Sequence, residues 1–186
     1  MHIFTKMRKE IIQQIEIPEG VEANLEGNKL IVKGEKGENE REFKIGKLDF
    51  QKKDNLIIIG HKKATKNEKK LINTISAHIR NMLKGIGEGF EYKLKICSSH
   101  FPFTVDIQGK EATVKNFLGE KIPRKVKIPE GAEVNIQGDI ITINSNDKES
   151  AGQAAANFER STKIRNKDRR IFQDGIFITN KAGREM

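Results

Sequence analysis

The chain has 186 residues, of which 33% are charged and 35% hydrophobic, and its formal net charge is +9. This size accommodates one large domain or two small ones, and the composition is not that of a disordered chain. The positive charge favours a polyanionic partner, which leaves nucleic acid and acidic membrane surfaces as candidates. No apolar run approaches the roughly 20 residues that span a bilayer. The N-terminus lacks the apolar segment of a signal peptide, and the single cysteine excludes an internal disulfide, so we expect a cytoplasmic protein.

An early segment of the chain is repeated in its second half. IPEGVEANLEG at 17–27 and IPEGAEVNIQG at 128–138 share seven of eleven positions. Self-similarity at one long spacing indicates duplication of a whole domain rather than a short solenoid repeat. We therefore expect two similar halves, with Pro18 and Pro129 at equivalent positions.

The first copy of this segment has the pattern of a hairpin. Apolar residues alternate with polar ones over 15–25, as in a half-buried strand, and Pro18 indicates an edge or a bulge because it cannot donate a ladder hydrogen bond. Gly27 and Asn28 predict a turn, and 30–32 the returning strand. The second copy repeats the plan, so each should be a hairpin with a bulged first strand.

One helix follows in each half. Thr65 and Glu68 have the spacing of a capping box at the start of the first helix, and Gly85 predicts its end. The second helix should begin near Asn146 or Asp147 and bury a face that consists mainly of alanine, which permits close docking on a sheet. Further strands are predicted at 41–45, 55–59, 91–97, 103–107 and 112–117.

These elements predict an α+β fold of two duplicated domains, each an antiparallel β-sheet system packed with one α-helix. The glycine-rich segment 85–89 makes the best boundary, which gives an N-terminal repeat at 1–84 and a C-terminal repeat with a basic tail at 85–186.

The chain offers little catalytic chemistry. GIGEGF at 85–90 follows a helix rather than a strand and lacks the Gly-Lys-Ser/Thr of a phosphate-binding loop. Cys97 and His100 have the spacing of a zinc-ligand pair, but a closed site needs four ligands and no second pair is evident. His78 lies at the margin of the apolar stripe of the first helix, where a packed histidine is the simpler interpretation. We find no catalytic constellation and expect no cofactor or metal.

Basic residues are concentrated after the second helix. Arginine outnumbers lysine there and suits bidentate phosphate contacts, although cations near a helix C-terminus also stabilise the helix dipole. The cluster consists of Arg160, Lys163, Arg165, Lys167, Arg169 and Arg170. A second patch over 62–70 contains only lysine as its cation and is offset by Glu68, so we interpret it as a solvated face.

The predicted positions of the aromatic residues indicate which type of nucleic acid the chain would bind. Readers of single strands stack bases on exposed rings. Nearly every Phe of this chain lies on a predicted strand or helix face that should be core. Folded RNA, held by its phosphates and its shape, therefore fits better than a single strand read by sequence.

The C-terminal part of the chain resembles a known family. RRIFQDGIFI at 169–178 is similar to the closing signature of large-subunit ribosomal protein L-six, in its archaeal and eukaryotic branch. EGFEYKLKICSSHFP at 88–102, NFLGEKIPRKVKIPEG at 116–131 and the opening IEIPEGV at 15–21 also resemble that branch. Phe177 stands where the family commonly has Tyr. The low proline content and abundant Lys, Ile and Asn fit an archaeal source.

This resemblance implies a duplicated α+β fold and a non-enzymatic role in the large ribosomal subunit. It implies binding to large-subunit ribosomal RNA through the C-terminal domain, near the sarcin–ricin loop and the docking site of translational GTPases, with ribosomal proteins and no membrane as neighbours. Carried over to this chain, it places Lys163, Arg165, Lys167, Arg169 and Arg170 at the RNA, and more weakly Ser99, His100, Lys121, Arg124 and Lys125. Phe172, Asp174 and Gly175 should shape the tail rather than touch RNA.

Two other functions stay open at this point. One is an enzyme or a metal-dependent factor that uses Cys97 and His100. The other is a free-standing binder of RNA or of a membrane surface outside the ribosome.

Overall fold

The computed structural model describes residues 9–168 and 170–186, which divide into two compact units between Glu88 and Gly89. The first unit contains β1 (Lys9–Glu16), β2 (Glu22–Glu26), β3 (Lys29–Gly34), β4 (Gly37–Glu42), β5 (Asp49–Lys53), β6 (Leu56–Ala64) and α1 (Lys66–Gly87). The second contains β7 (Phe90–Cys97), β8 (Thr104–Gln108), β9 (Glu111–Lys115), β10 (Arg124–Lys127), β11 (Ala132–Gln137), β12 (Ile140–Ser145), α2 (Lys148–Ser161), β13 (Gly175–Lys181) and β14 (Arg184–Glu185).

The first unit has two three-stranded antiparallel sheets, with strand orders β1-β6-β5 and β2-β3-β4. Helix α1 begins at the predicted capping box, in which the Thr65 N–H donates to the Glu68 carboxylate at 2.8 Å. Its apolar stripe, including Ile72 and Ile79, is fully buried against both sheets. The helix does not end at Gly85, as its sequence predicted, but continues to Gly87.

The second unit has a three-stranded sheet of order β10-β9-β8 and a five-stranded sheet of order β11-β12-β7-β13-β14. Helix α2 is capped by the Asp147 carboxylate, which accepts from the backbone N–H groups of Glu149 and Ser150. As predicted, its buried face consists of Ala151, Ala154, Ala155 and Phe158. The small side chains bring this helix close to the sheet.

The strand orders of the two units match element by element. The order β1-β6-β5 corresponds to β7-β12-β11, and β2-β3-β4 to β8-β9-β10, with the helix following β6 in one unit and β12 in the other. The same backbone hydrogen bond closes both β1 and β7: Ile17 N–H donates to Asn55 O at 3.0 Å, and Ile96 N–H to Asp139 O at 2.8 Å. The second unit adds β13 and β14 beside β7. The predicted α+β duplication is confirmed.

The repeated IPEG segment does not mark equivalent positions of the two units, contrary to expectation. Pro18 lies between β1 and β2, the first crossing between the two sheets of its unit, whereas Pro129 lies between β10 and β11, the second crossing of the other unit. The two predicted hairpins are confirmed as β2-β3 and β11-β12, with turns at 27–28 and 138–139. Their bulged first strands are wrong, because each IPEG tetrapeptide lies in a turn that leaves one sheet and enters the other.

Both crossing turns have the same geometry. The Val21 N–H donates to Pro18 O at 3.3 Å, and the Ala132 N–H donates to Pro129 O at 3.4 Å. Each turn needs a left-handed residue, which glycine provides: Gly131, for example, has φ of +77°. The two segments are thus similar because each forms the same type of turn between two sheets.

The sequence pattern did not predict β5, β13 or β14. β5 is polar at most positions, and β13 includes the second half of the family signature, which was predicted to belong to the tail. β13 pairs with β7 over most of its length. No helix of the described residues is both long and apolar enough to cross a membrane.

Candidate nucleic-acid interface

A groove of about 920 Å³ lies on the second unit, where β10, the end of α2 and the segment after it meet. We call it the basic groove, because its lining includes one carboxylate, Glu120, and seven cationic residues. These are Arg124, Lys125, Lys127, Arg160, Lys163, Arg165 and Lys167. Six of the seven were predicted to bind RNA, and the structure brings them together from two segments that are distant in sequence.

Arg124 is held from within the protein. Its guanidinium donates to both carboxylate oxygens of Glu120, at 2.7 and 2.5 Å, and to the Ser161 carbonyl at the end of α2, at 2.6 Å. It also lies 4.5 Å from the centroid of the Phe117 ring. The Arg124 hydrogen bonds lower the pKa of Glu120. Arg124 therefore secures the wall of the groove more than it offers a free charge.

The side chains of Lys163 and Arg165 are exposed and make no hydrogen bond or ion pair within the described residues. They follow α2, where Thr162 ends the helix and anchors the next strand by accepting from the Ile176 N–H at 2.9 Å. Lys125 lies 4.0 Å from Glu111, a weak and exposed pair. These cations are available to phosphates.

Arg170, an arginine of the RRIFQDGIFI signature, differs from these cations because it is paired. Arg170 is 90% exposed, but its guanidinium pairs with Asp168 at 2.9 Å, and this contact lowers the pKa of Asp168. Arg169 lies outside the described residues. Lys121 is exposed in the connection between β9 and β10, outside the lining of the groove.

The loop between β7 and β8 is fastened to the start of β13 by Asp174. Its carboxylate accepts from the Ser99 N–H at 2.6 Å and from the His100 N–H at 2.9 Å, and its second oxygen lies 2.6 Å from His100 Nδ1. Burial alone would raise the pKa of Asp174, but the hydrogen bonds from His100 and Ser99 outweigh it and lower that pKa.

This loop also contacts the basic segment. The His100 ring stacks on Phe172, with centroids 4.7 Å apart and planes inclined by 20°. Lys167 Nζ lies 4.4 Å from the centroid of the same Phe172 ring. Ser99 and His100 are therefore placed next to the predicted cluster by contacts that the sequence did not show.

The Cys97–His100 pair does not have the setting of a metal site. Cys97 ends β7 opposite Gly175 in the sheet, while the His100 Nδ1 is engaged by Asp174. Across residues 9–168 and 170–186, no group of three or more His, Cys, Asp and Glu side chains is arranged to hold a metal ion.

Sequence reasoning missed two features of this surface. Lys127 lines the groove beside Lys125, and the alternation of β10 around buried Val126 could have revealed that both face outward. The expectation that nearly all Phe residues are core was too broad, since Phe101 is 52% and Phe177 43% exposed.

Comparison with known proteins identifies the family. The family model for ribosomal protein L6 matches residues 17–89 and 101–175. Its first match opens at the first IPEG segment, but the second opens at Phe101, well before Pro129, in agreement with the strand correspondence above.

Several archaeal proteins named large ribosomal subunit protein uL6 align with nearly the whole chain. The protein of Methanobrevibacter smithii is 42% identical over 92% of this chain and 96% of its own length. That of Sulfurisphaera tokodaii is 43% identical over 92% of both chains. That of Methanocella arvoryzae is 40% identical over 95% of this chain and its entire length. This chain belongs to the ribosomal protein L6 family.

Proposed function

We propose that this chain is a non-enzymatic component of the large ribosomal subunit that binds ribosomal RNA through the basic groove. The observation that carries the proposal is the convergence of seven cations on one groove, opposed there by one carboxylate that Arg124 already neutralises. The archaeal relatives, whose name places them in the large ribosomal subunit, support the same assignment.

The groove suits the phosphate backbone of folded RNA. Its lining contains no aromatic side chain on which a base could stack, and its apolar residues, such as Leu118 and Ile164, are aliphatic. Exposed lysine and arginine side chains at separate positions match a run of phosphates, which positions RNA without reading its sequence. Lys163, Arg165 and Lys167 are the central contacts in this proposal, and Lys125, Lys127 and Arg160 flank them.

The family resemblance extends the proposal to location and partners. It supports a position near the sarcin–ricin loop and the docking site of translational GTPases, with neighbouring ribosomal proteins as further partners. Arg170, Lys121, Ser99 and His100 lie at the margin of the groove or beyond it, and we propose them as secondary RNA contacts.

Photo-crosslinking of the full chain in assembled large subunits tests this proposal. A photoreactive side chain introduced at Arg165 should crosslink to large-subunit ribosomal RNA near the sarcin–ricin loop. The same group at Lys62, an exposed lysine of the first unit, is the control. Crosslinks from Lys62 alone, or crosslinks from Arg165 to protein only, would contradict an RNA-facing groove.

A further inference from the structure

The carboxylate of Asp174 is buried, and its removal from water disfavours the charged form. Its side chain is 1% exposed, and an unpaired charge there would be costly. Three hydrogen bonds from the loop between β7 and β8 satisfy both of its oxygens. Charge-assisted bonds of this kind are about twice as strong as neutral ones. Asp174 therefore fixes the backbone of Ser99 and His100 and the ring of His100.

A continuous series of contacts leads from this carboxylate to the cations. The fixed His100 ring stacks on Phe172, and the Phe172 ring in turn contacts the Lys167 ammonium group. Phe172 belongs to an irregular segment that precedes β13, where the backbone makes few sheet hydrogen bonds. The Phe172 N–H donates to the Asp168 carbonyl at 2.9 Å, so the stacked ring lies beside the backbone that carries Lys167.

We infer that Asp174 is a positioning residue for RNA binding, which acts through His100 and Phe172 to hold Lys167 and its neighbours in a fixed arrangement before RNA arrives. A preorganised site binds more tightly because it loses less conformational freedom on association. The inference rests on the proposed RNA-binding function and adds to it a residue that itself touches no phosphate.

The direction in which RNA affinity changes distinguishes a positioning role of Asp174 from the effect of its charge. Removal of a carboxylate raises the net positive charge, which by itself strengthens RNA binding. Asp174→Ala should nevertheless weaken binding of transcribed large-subunit ribosomal RNA by the full chain, by roughly tenfold at moderate salt. The matched control is Asp139→Ala, which removes the same charge from an exposed turn of the same unit and should bind at least as tightly as the original chain.

Circular dichroism would show whether Asp174→Ala folds. If it does not fold, two further variants still test the inference. Asp174→Asn retains an oxygen for the two N–H donors and should restore affinity to within about threefold of the original chain. Phe172→Leu keeps apolar bulk at a half-buried site but removes the ring stack, and it should weaken binding with the fold intact.

The inference is overturned if Phe172→Leu and folded Asp174→Ala both bind as tightly as the Asp139→Ala control. A chain with Lys163, Arg165 and Lys167 changed to Gln distinguishes this failure from a failure of the groove itself. If that variant binds weakly while the other two bind normally, the groove binds RNA but Asp174 does not position it. If that variant also binds normally, the proposed function is wrong.

Discussion

Neighbouring cations on β10 have different roles, which their sequence does not reveal. Arg124 and Lys125 are consecutive, and both were predicted to bind RNA. Arg124 is only 29% exposed at its side chain and is committed to Glu120, Ser161 O and the Phe117 ring, whereas Lys125 extends into solvent. Charge density can be read from a sequence, but which charge is already neutralised depends on contacts made by the folded chain.

Replacement of each of these two residues by glutamine should have different effects on stability. Arg124→Gln removes a bidentate ion pair and a helix-end contact, so we expect it to lower the free energy of unfolding by roughly 1–3 kcal/mol. Lys125→Gln should change that free energy by less than about 0.5 kcal/mol. Denaturant titration measures both. A loss of less than about 0.5 kcal/mol for Arg124→Gln would contradict a structural role for Arg124.

Protonation of Asp174 should make stability depend on pH. Because its pKa is lowered in the folded chain, Asp174 contributes stability above the ordinary aspartate pKa of about 4, and that contribution is lost as the pH falls through the lower folded value. The difference in unfolding free energy between the original chain and Asp174→Asn should therefore shrink as the pH falls below about 4. A difference that stays constant down to pH 2 would contradict the hydrogen-bonded carboxylate.

At the scale of elements, helix α2 shows what a local pattern can predict. Its start, its alanine face and its place after a hairpin all followed from capping and periodicity, because these depend on residues within a few positions of one another. The same holds for α1 at Thr65. The helix C-terminus was less predictable, since Gly85 is buried within α1 rather than ending it.

The close packing of α2 leads to a prediction about size. Ala154→Leu inserts bulk where the helix meets the sheet, and we expect a loss of about 1–3 kcal/mol in unfolding free energy. Ala156→Leu makes the same change on the exposed face of the same helix and should cost less than about 0.5 kcal/mol. Thermal or chemical denaturation distinguishes the two, and similar losses would mean that α2 is not tightly packed.

Strand connections were harder to predict than the strands themselves. The alternation around Pro18 continues across a turn, so a one-dimensional pattern reads two strands of different sheets as one bulged strand. β13 was missed because it opens with Gly175 and its pairing partner, β7, lies far upstream in the sequence. Long-range pairing of this kind leaves no local signal.

At the scale of the whole molecule, cations of the two units differ in how they are paired. In the first unit, lysines of β3 pair with glutamates of β4, as Lys29 does with Glu40 at 2.7 Å and Lys33 with Glu38 at 3.0 Å. In the second unit, exposed cations collect around the basic groove. The net charge of +9 predicts a polyanionic partner, but only the folded chain shows where the charge is concentrated.

The salt dependence of RNA binding tests the central claim most directly. The affinity of the full chain for transcribed large-subunit ribosomal RNA is measured over a range of salt concentrations, for two variants of equal charge. Lys163, Arg165 and Lys167 changed to Gln should flatten the slope of log affinity against log salt by about 2 to 3, because each lost phosphate contact removes roughly 0.7 to 0.9. Lys62, Lys63 and Lys66 changed to Gln should leave the slope nearly unchanged. Equal flattening in both variants would show that net charge acts without a site, and the basic groove would not be the RNA-binding surface.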